Sequence, residues 1–540
     1  MLGQTVLEHE VADYAPRIEN AFTLEPRELC YTVKNIEGRI PAFIRGAYYL
    51  NGPARFESSG VAYRHWLDGD GMICALRFEK DRVMFTNRFV RSHKFVAEAN
   101  AGGPLFRTFG TAFPGDLLKR KVMIESPVNV SVYRYGNSLL AFGEQGLPYE
   151  LDPSTLETLG EFNFGGALND VSPFGAHPKF DRETGEMFNF GIAFSATEPL
   201  LHFYRFDAHG ALVYRRRLKL GYPCSLHDFG LSQSYAIFYL SPYLLNMHSL
   251  VLEGRTLMDS LEWHAERGSR LLVVSRQTGA VVASVPAGSR HCLHFINCFE
   301  GGGLLNVDVL ELERPIYDQY QTIPNLFSDV CEGQPVRYVI DATAGEVCER
   351  RAIEYRCAPD FPSIDLHLVS RAYEEFWMLG ISSTGQFGRK FFDQLVHASW
   401  NSESPCDIYH APPEHYLGGE PIFIPDPSGK TSGSIICQLF DARRVESSFA
   451  IFDAANVSAG PVTRLRLETP IHLGFHATFV EANQLISHAT AQRRKESPKK
   501  RGSALRLCAF ASEKIFALGS AKQFDYFRAK AVRRIQRCHP

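Results

Sequence analysis

Short apolar runs separated by polar turns recur from about residue 30 to residue 480. Ala47–Leu50, Leu139–Phe142, Ala236–Leu240, Leu271–Val274 and Val281–Val285 are too short for ordinary helices and are bounded by turn residues, so they read as strands. A loosely repeated polar turn lies between such runs, at Asp152–Thr155, Asp181–Gly185, Asp207–Gly210, Arg276–Gly279 and Asp341–Gly345. Degenerate repetition of this kind suits antiparallel blades. Helical stretches are few; the best are Thr256–Arg267 and the final segment Ala504–Gln536. The main body is therefore all-β. One sandwich rarely needs about 450 residues, whereas radially arranged blades of about 40 to 70 residues absorb them, with two or three stacked β-domains as the alternative. No Pro/Gly-rich linker divides the body, and the one clear boundary falls near Gln484, giving a body of residues 1–483 and a tail of residues 484–540.

Composition narrows the class. Hydrophobic residues at 45% and charged residues at 22% exclude disorder across most of the chain, a collagen-like repeat and a predominantly membrane-spanning protein. The 40 Phe and 22 Tyr beside 8 Met and 4 Trp favour β-structure and aromatic-lined cavities. The formal charge of −3 conceals an asymmetry: from residue 491 onward 14 basic residues face 3 acidic ones, so this stretch is +11 and the rest −14. A basic run of this kind reads as a solvated extension, and no nucleic-acid partner is expected. The 12 cysteines form no Cys-x-x-Cys pair, the first residues show no secretory pattern, and no run of about 18 apolar residues occurs. A reducing, cytoplasmic setting is expected, with one-sided membrane contact left open.

Four of the 19 histidines sit in or beside strand-like apolar segments: His177, His227, His294 and His476. Singly, each reads as a core histidine satisfied by one hydrogen bond. Their gaps of 50, 67 and 182 residues exclude a finger or a helix-borne pair, and only a closed fold that converges strands on an axis could unite them.

The stretches around these histidines, together with Phe43–Gly52, Leu67–Met72, Gly143–Pro153 and Gly419–Ile424, closely resemble the carotenoid cleavage oxygenase family over about residues 20–483. The resemblance implies a seven-bladed β-propeller with a helical and loop cap, and Fe2+ on its axis held by His177, His227, His294 and His476. It also implies three carboxylates that accept the other imidazole N–H groups, which orients the rings and offsets the metal's charge. These are Glu144, Asp360 and Glu420. The family commonly has Glu where this chain has Asp360, so a side chain one methylene shorter must shift its backbone or bridge through water. The implied reaction is that of a dioxygenase: dioxygen adds across one C=C bond of a carotenoid or apocarotenoid, yielding aldehydes or ketones, and no residue beyond the metal centre is nominated as an acid or base.

Two further positions bear on the substrate. The family frequently places a Thr near the open iron position where this chain has Val130, and an apolar residue there also occurs in the retinyl-ester isomerising branch. Stilbenoid-cleaving relatives grip a phenol with a Tyr where this chain has Phe85, which disfavours a hydroxystilbene. Stilbenoid cleavage and ester isomerisation remain enzymatic alternatives, and a carotenoid-binding or protein-interaction propeller is the non-enzymatic one. Leu244, Leu245, Leu250 and Leu252 occupy the region where the family bears an apolar patch beside its tunnel, and peripheral membrane contact is expected through them.

Overall fold

The computed structural model describes residues 12–195, 198–316, 323–402, 404–430 and 432–485. The segment Ala504–Gln536 and the basic run lie outside the described residues. Seven antiparallel sheets of four or five strands form the blades of a propeller. In chain order the innermost strands of blades 2 to 7 are Ser131–Tyr135, Lys179–Phe180, Gly230–Leu231, His291–Gly301, Asp360–Ser363 and His415–Pro425. Blade 1 receives its innermost strand, Ala477–Glu481, from the far end of the chain, paired antiparallel with Gly46–Ala54. Conversely, Ile36–Gly38 completes blade 7 by pairing with Pro461–Arg466. Each end of the propeller chain is thus stitched into the other's blade, which closes the ring through backbone hydrogen bonds. The seam is tight: a Cβ on Gly52 would lie 2.5 Å from the Cα of Gly474.

Blades stack face to face, so strands near the middle of each blade are covered on both sides and read as continuous apolar runs. All nine residues of Gly46–Ala54 are buried. Outermost strands face water and lose that signal, as Glu346–Ala352 shows. The recurrent Asp turns have one mechanism: Oδ1 of Asp152 accepts the N–H groups of Ser154 and Thr155, and Oδ1 of Asp181, Asp207 and Asp341 does the same two to four residues downstream. Gly185, Gly210 and Gly345 then supply the left-handed residue that closes the hairpin.

The helix expected over Thr256–Arg267 does not form. Leu261–Trp263 is a strand paired with Tyr243–Leu245, flanked by single 3-10 turns at Met258–Ser260 and Ala265–Arg267. Thr256 Oγ1 takes the Asp259 N–H and Ser260 Oγ donates to the Thr256 carbonyl, side-chain bonds that compete with helical ones. With the helices His93–Ala101 and Met247–Val251 this hairpin belongs to the cap.

Neighbouring blades are held by more than apolar packing. In blade 5 the buried Asp308 receives Arg337 through two bonds of 2.7 and 2.6 Å, and Tyr373, at the margin of blade 6, donates to the same carboxylate at 2.6 Å. The guanidinium lies 4.4 Å from the ring centroid of Trp400. Arg337→Ala should therefore leave a buried carboxylate short of its cation and cost about 3–5 kcal/mol. Denaturant titration should show this as a lower midpoint, with the metal content of the folded protein unchanged.

Candidate metal centre

Every blade sends one titratable side chain to the axis. His476 immediately precedes the closing strand of blade 1, and Glu144 stands two residues beyond Ser138–Phe142 of blade 2. His177 and His227 lie just ahead of the innermost strands of blades 3 and 4; His294, Asp360 and Glu420 lie within those of blades 5, 6 and 7. The last three strands are bulged. Pairing skips between Cys292 and Phe295, between Asp360 and Ser363, and between Gly418 and Ile422. An irregular ladder of this kind re-aims a side chain that regular pleating would send to an interblade face.

The four histidines offer ring nitrogens that all lie within 4.8 Å of one another. His177 and His227 approach with Nε2 atoms 2.9 Å apart. Three rings turn Nδ1 outward to a carboxylate: His227 to Glu144 at 2.8 Å, His294 to Asp360 at 2.5 Å and His476 to Glu420 at 3.3 Å. His177 has no such partner among the described residues. The Asp360 contact is direct, without a bridging group. Ala358 and Phe361 on either side take positive φ values of 21° and 53°, and the Phe361 N–H holds the same carboxylate oxygen at 2.8 Å.

The electrostatics favour a neutral ring at His177 and at His476, and act the other way at His227. Burial, reinforced by the three neighbouring imidazoles, holds His177 well below the usual imidazole range. Burial also lowers His476, partly offset by Glu420. Burial pulls His227 down as well, but Glu144 more than compensates and its net shift is upward. Burial would raise Asp360, but the His294 ring and the Phe361 N–H that face its carboxylate outweigh it and hold it below the usual carboxylate range.

This donor set fits a divalent transition metal. Four imidazoles with no thiolate suit iron among the first-row ions, and the ring nitrogen His294 Nε2 is buried without a hydrogen-bond partner. Three carboxylates fix the tautomer of their rings, leaving the Nε2 lone pairs for the ion.

A cavity of about 1160 Å3, open solvent at its mouth included, leads to this cluster. Phe109, Phe174, Phe190 and Phe194 contribute to its walls, and Val130, Glu144 and His227 lie at its inner end. Val130 is where the sequence places it, and its carbonyl also receives the His476 N–H at 3.1 Å. Phe85 is not among the lining residues. It is fully buried in the core around blade 1, 5.2 Å from the ring of Tyr31, so the loss of a phenol there does not select a substrate. The leucine expectation is likewise corrected: Leu244, Leu245 and Leu250 are buried, Leu245 within the cavity wall, and only Leu252 of the four is exposed, at 73%. Pairing of Tyr243–Leu245 with the cap hairpin turns that run inward. Sequence reasoning missed Asp228 and Lys179, which form a 2.7 Å ion pair beside the histidines, and the cap residues Phe109 and Phe194. Adjacency to His227 was the one available signal for Asp228.

The family described as retinal pigment epithelial membrane protein matches residues 22–481. The apocarotenoid-15,15'-oxygenase of a Synechocystis strain is 28% identical over 481 residues, covering 85% of this chain and 94% of that protein. The isoeugenol monooxygenase of Pseudomonas putida is 28% identical over 491 residues, covering 87% and 97%. Among solved structures, a variant of Synechocystis apocarotenoid oxygenase superposes with a TM-score of 0.79 at 26% identity, covering 88% of this chain and 100% of that one. A cobalt-substituted form of the same enzyme gives 0.77 at 25%, covering 86% and 98%.

His294→Ala should remove one ring nitrogen and strand Asp360, cutting iron retained after gel filtration to roughly a tenth or less of wild type. Asp360→Ala should weaken iron binding about 10-fold to 100-fold while the ligands themselves remain. Metal analysis of both proteins, alongside circular dichroism to confirm the propeller, checks the assignment.

Proposed function

Because the chain belongs to the retinal pigment epithelial membrane protein family, that of the carotenoid cleavage oxygenases, we propose that it is an iron-dependent dioxygenase splitting one C=C bond of a carotenoid or apocarotenoid. The observation that carries the substrate class is the cavity. Its lining holds four Phe side chains and, among the described residues, no Tyr, Lys or Arg to meet a phenol hydroxyl. The relatives do not choose, since the apocarotenoid oxygenase and the isoeugenol monooxygenase are equally similar. An apolar polyene loses no hydrogen bond on entering these largely apolar walls, whereas a phenol would depend on Ser126, Asn129, Gln145 or Ser225 to match its hydroxyl.

His177, His227, His294 and His476 would hold the ion, with Glu144, Asp360 and Glu420 keeping three of their rings in the ligating tautomer. When bound, ferrous iron supplies the redox chemistry that lets dioxygen react with an alkene. The walls exclude water and align the polyene against the inner end of the cavity. Adding one O2 across one C=C bond gives two carbonyl groups with no net gain or loss of protons, so no acid or base is required at the carbon. The apolar Val130 beside the cluster is compatible with this, since it asks for no polar group on the substrate.

Peripheral membrane contact is part of the same reading. No helix among the described residues is long and apolar enough to cross a membrane. Exposed Leu117 and Leu252 lie on adjoining cap segments, because Arg107 donates its N–H to the Leu117 carbonyl and its guanidinium to the carbonyls of Leu250 and Arg255. Both segments run on into cavity-lining residues, Met123 on one side and Leu257 on the other. A polyene could leave lipid there without crossing water.

Iron-reconstituted protein should convert β-carotene or an apocarotenal, under labelled dioxygen, to two carbonyl products carrying the label. Bound iron with no carbonyl product from these or from resveratrol overturns the oxygenase reading; cleavage of resveratrol alone, or an unlabelled product of unchanged mass, replaces it by the stilbenoid or isomerising alternative. Leu117→Asp combined with Leu252→Asp should reduce co-sedimentation with lipid vesicles severalfold and slow turnover of vesicle-borne substrate, leaving detergent-dispersed substrate unaffected.

A further inference from the structure

Asp228 follows His227 directly, is 4% exposed, and points at none of the four rings. Its carboxylate is fully engaged elsewhere. Oδ1 lies 2.7 Å from Lys179 Nζ and accepts the N–H of Phe229 at 2.8 Å; Oδ2 accepts the N–H of Phe295 at 2.9 Å. Each partner has a defined place relative to a metal-binding ring. Lys179 opens the innermost strand of blade 3, two residues after His177. Phe295 follows His294 inside the bulged strand of blade 5. One carboxylate in blade 4 therefore grips the segments that carry three of the four histidines. The fourth, His476, is held separately, its N–H on the Val130 carbonyl and its own carbonyl taking the Asn51 N–H.

We propose that Asp228, through its ion pair with Lys179 and its bond to the Phe295 backbone, is a positioning residue that locks His177, His227 and His294 into one arrangement before the metal arrives. The inference rests on the iron reading of the cluster and adds a component to it. Glu144, Asp360 and Glu420 each orient a single ring and bring negative charge to it. Asp228 makes no bond to any of the four rings and is bonded instead to the Lys179 side chain and to the backbone N–H groups of Phe229 and Phe295, so its contacts set the geometry of the segments that carry them. Without it, three segments from three blades would have to be ordered by the metal itself, at a cost in affinity and in residence time.

The test uses the full-length, iron-loaded protein and two readouts other than turnover: the rate of iron loss to an excess of a ferrous chelator, and the visible ligand-field bands after cobalt(II) substitution. Asp228→Ala should release iron about 10-fold to 100-fold faster than wild type and shift the cobalt bands. Asp228→Asn and Lys179→Met should fall between, because each keeps one of the two cross-blade links, and Lys179→Arg should return both readouts to near wild type. The double variant D228A/K179M should lose iron no faster than D228A. Wild-type release rates and cobalt bands in both D228A and K179M overturn the proposal, as do faster release with unchanged bands and fully additive effects, which would mark a general loss of stability. If D228A does not fold, D228N and K179M decide by the same criteria. Wild type that takes up neither iron nor cobalt overturns the metal reading along with this one, whereas metal-replete wild type with indifferent variants overturns this one alone.

Discussion

Four imidazole rings packed with their nitrogen lone pairs facing one another repel unless a cation or shared protons sit among them, and at His177 and His476 burial resists protonation. Much of the axial structure answers that constraint. The rings cannot relax outward, because three of them are held at Nδ1 by carboxylates and the segments that carry them are bonded to neighbouring blades. Nor can water readily take the cation's place: His177, His294 and His476 are each less than 5% exposed. A divalent ion satisfies the lone pairs without protonating the rings, and the three carboxylates then leave the assembly close to neutrality, with the surplus negative charge spread over its periphery. A scaffold serving only as an interaction platform would have little use for so costly an arrangement in its interior.

The propeller makes that arrangement accessible to a single chain. Seven blades give seven approaches to one axis, and each is used once, four by histidine and three by an acid. Closure is the price of that convergence, since an open ring would scatter the set. The seam is correspondingly over-determined, with strands exchanged between blades 1 and 7, the close approach of Gly52 to Gly474, and Asn51 donating to the carbonyls of Val128 and Ser131 in the next blade. The main chain of Asn51 also donates to the His476 carbonyl and accepts the Phe475 N–H, so one residue ties the segment of a metal ligand to blade 1 through its backbone and to blade 2 through its side chain.

What was legible in the chain follows from what each signal measures. Interblade burial on both faces writes continuous apolar runs, and so Leu139–Phe142 and Ala236–Leu240 were readable as strands. The Asp turns were readable because one local side-chain bond defines them. The helix expected at Thr256–Arg267 was not sound, because its period was overridden by a strand partner at Tyr243–Leu245. The leucines before it failed for the same reason: pairing, invisible in composition, decides which way a leucine faces. Spacing could show only that His177, His227, His294 and His476 required convergence; family resemblance, and then the closed ring, supplied it. Phe85 illustrates the limit of residue-by-residue transfer. Its motif aligned, but its side chain lies in a core between strands rather than at the cavity wall.

Specificity in such a site has to come from shape. If ferrous iron, when bound, supplies the redox chemistry and no proton has to move, the protein's remaining means of choosing one double bond of a polyene is how far the molecule can slide before its end meets a wall. Apolar contacts discriminate weakly, at about 1–3 kcal/mol per methylene-sized change, but sliding by one double bond displaces the whole ligand and multiplies that difference across every contact along the cavity. Rigid walls are therefore worth more here than polar hooks. Phe174 and Phe190 are themselves buried to within 2% and packed into interblade cores, so these cavity walls are extensions of the propeller's own interior. Phe109 has a different origin, since its carbonyl accepts the Met258 N–H across the cap, so this part of the wall is supplied by cap segments rather than by a blade.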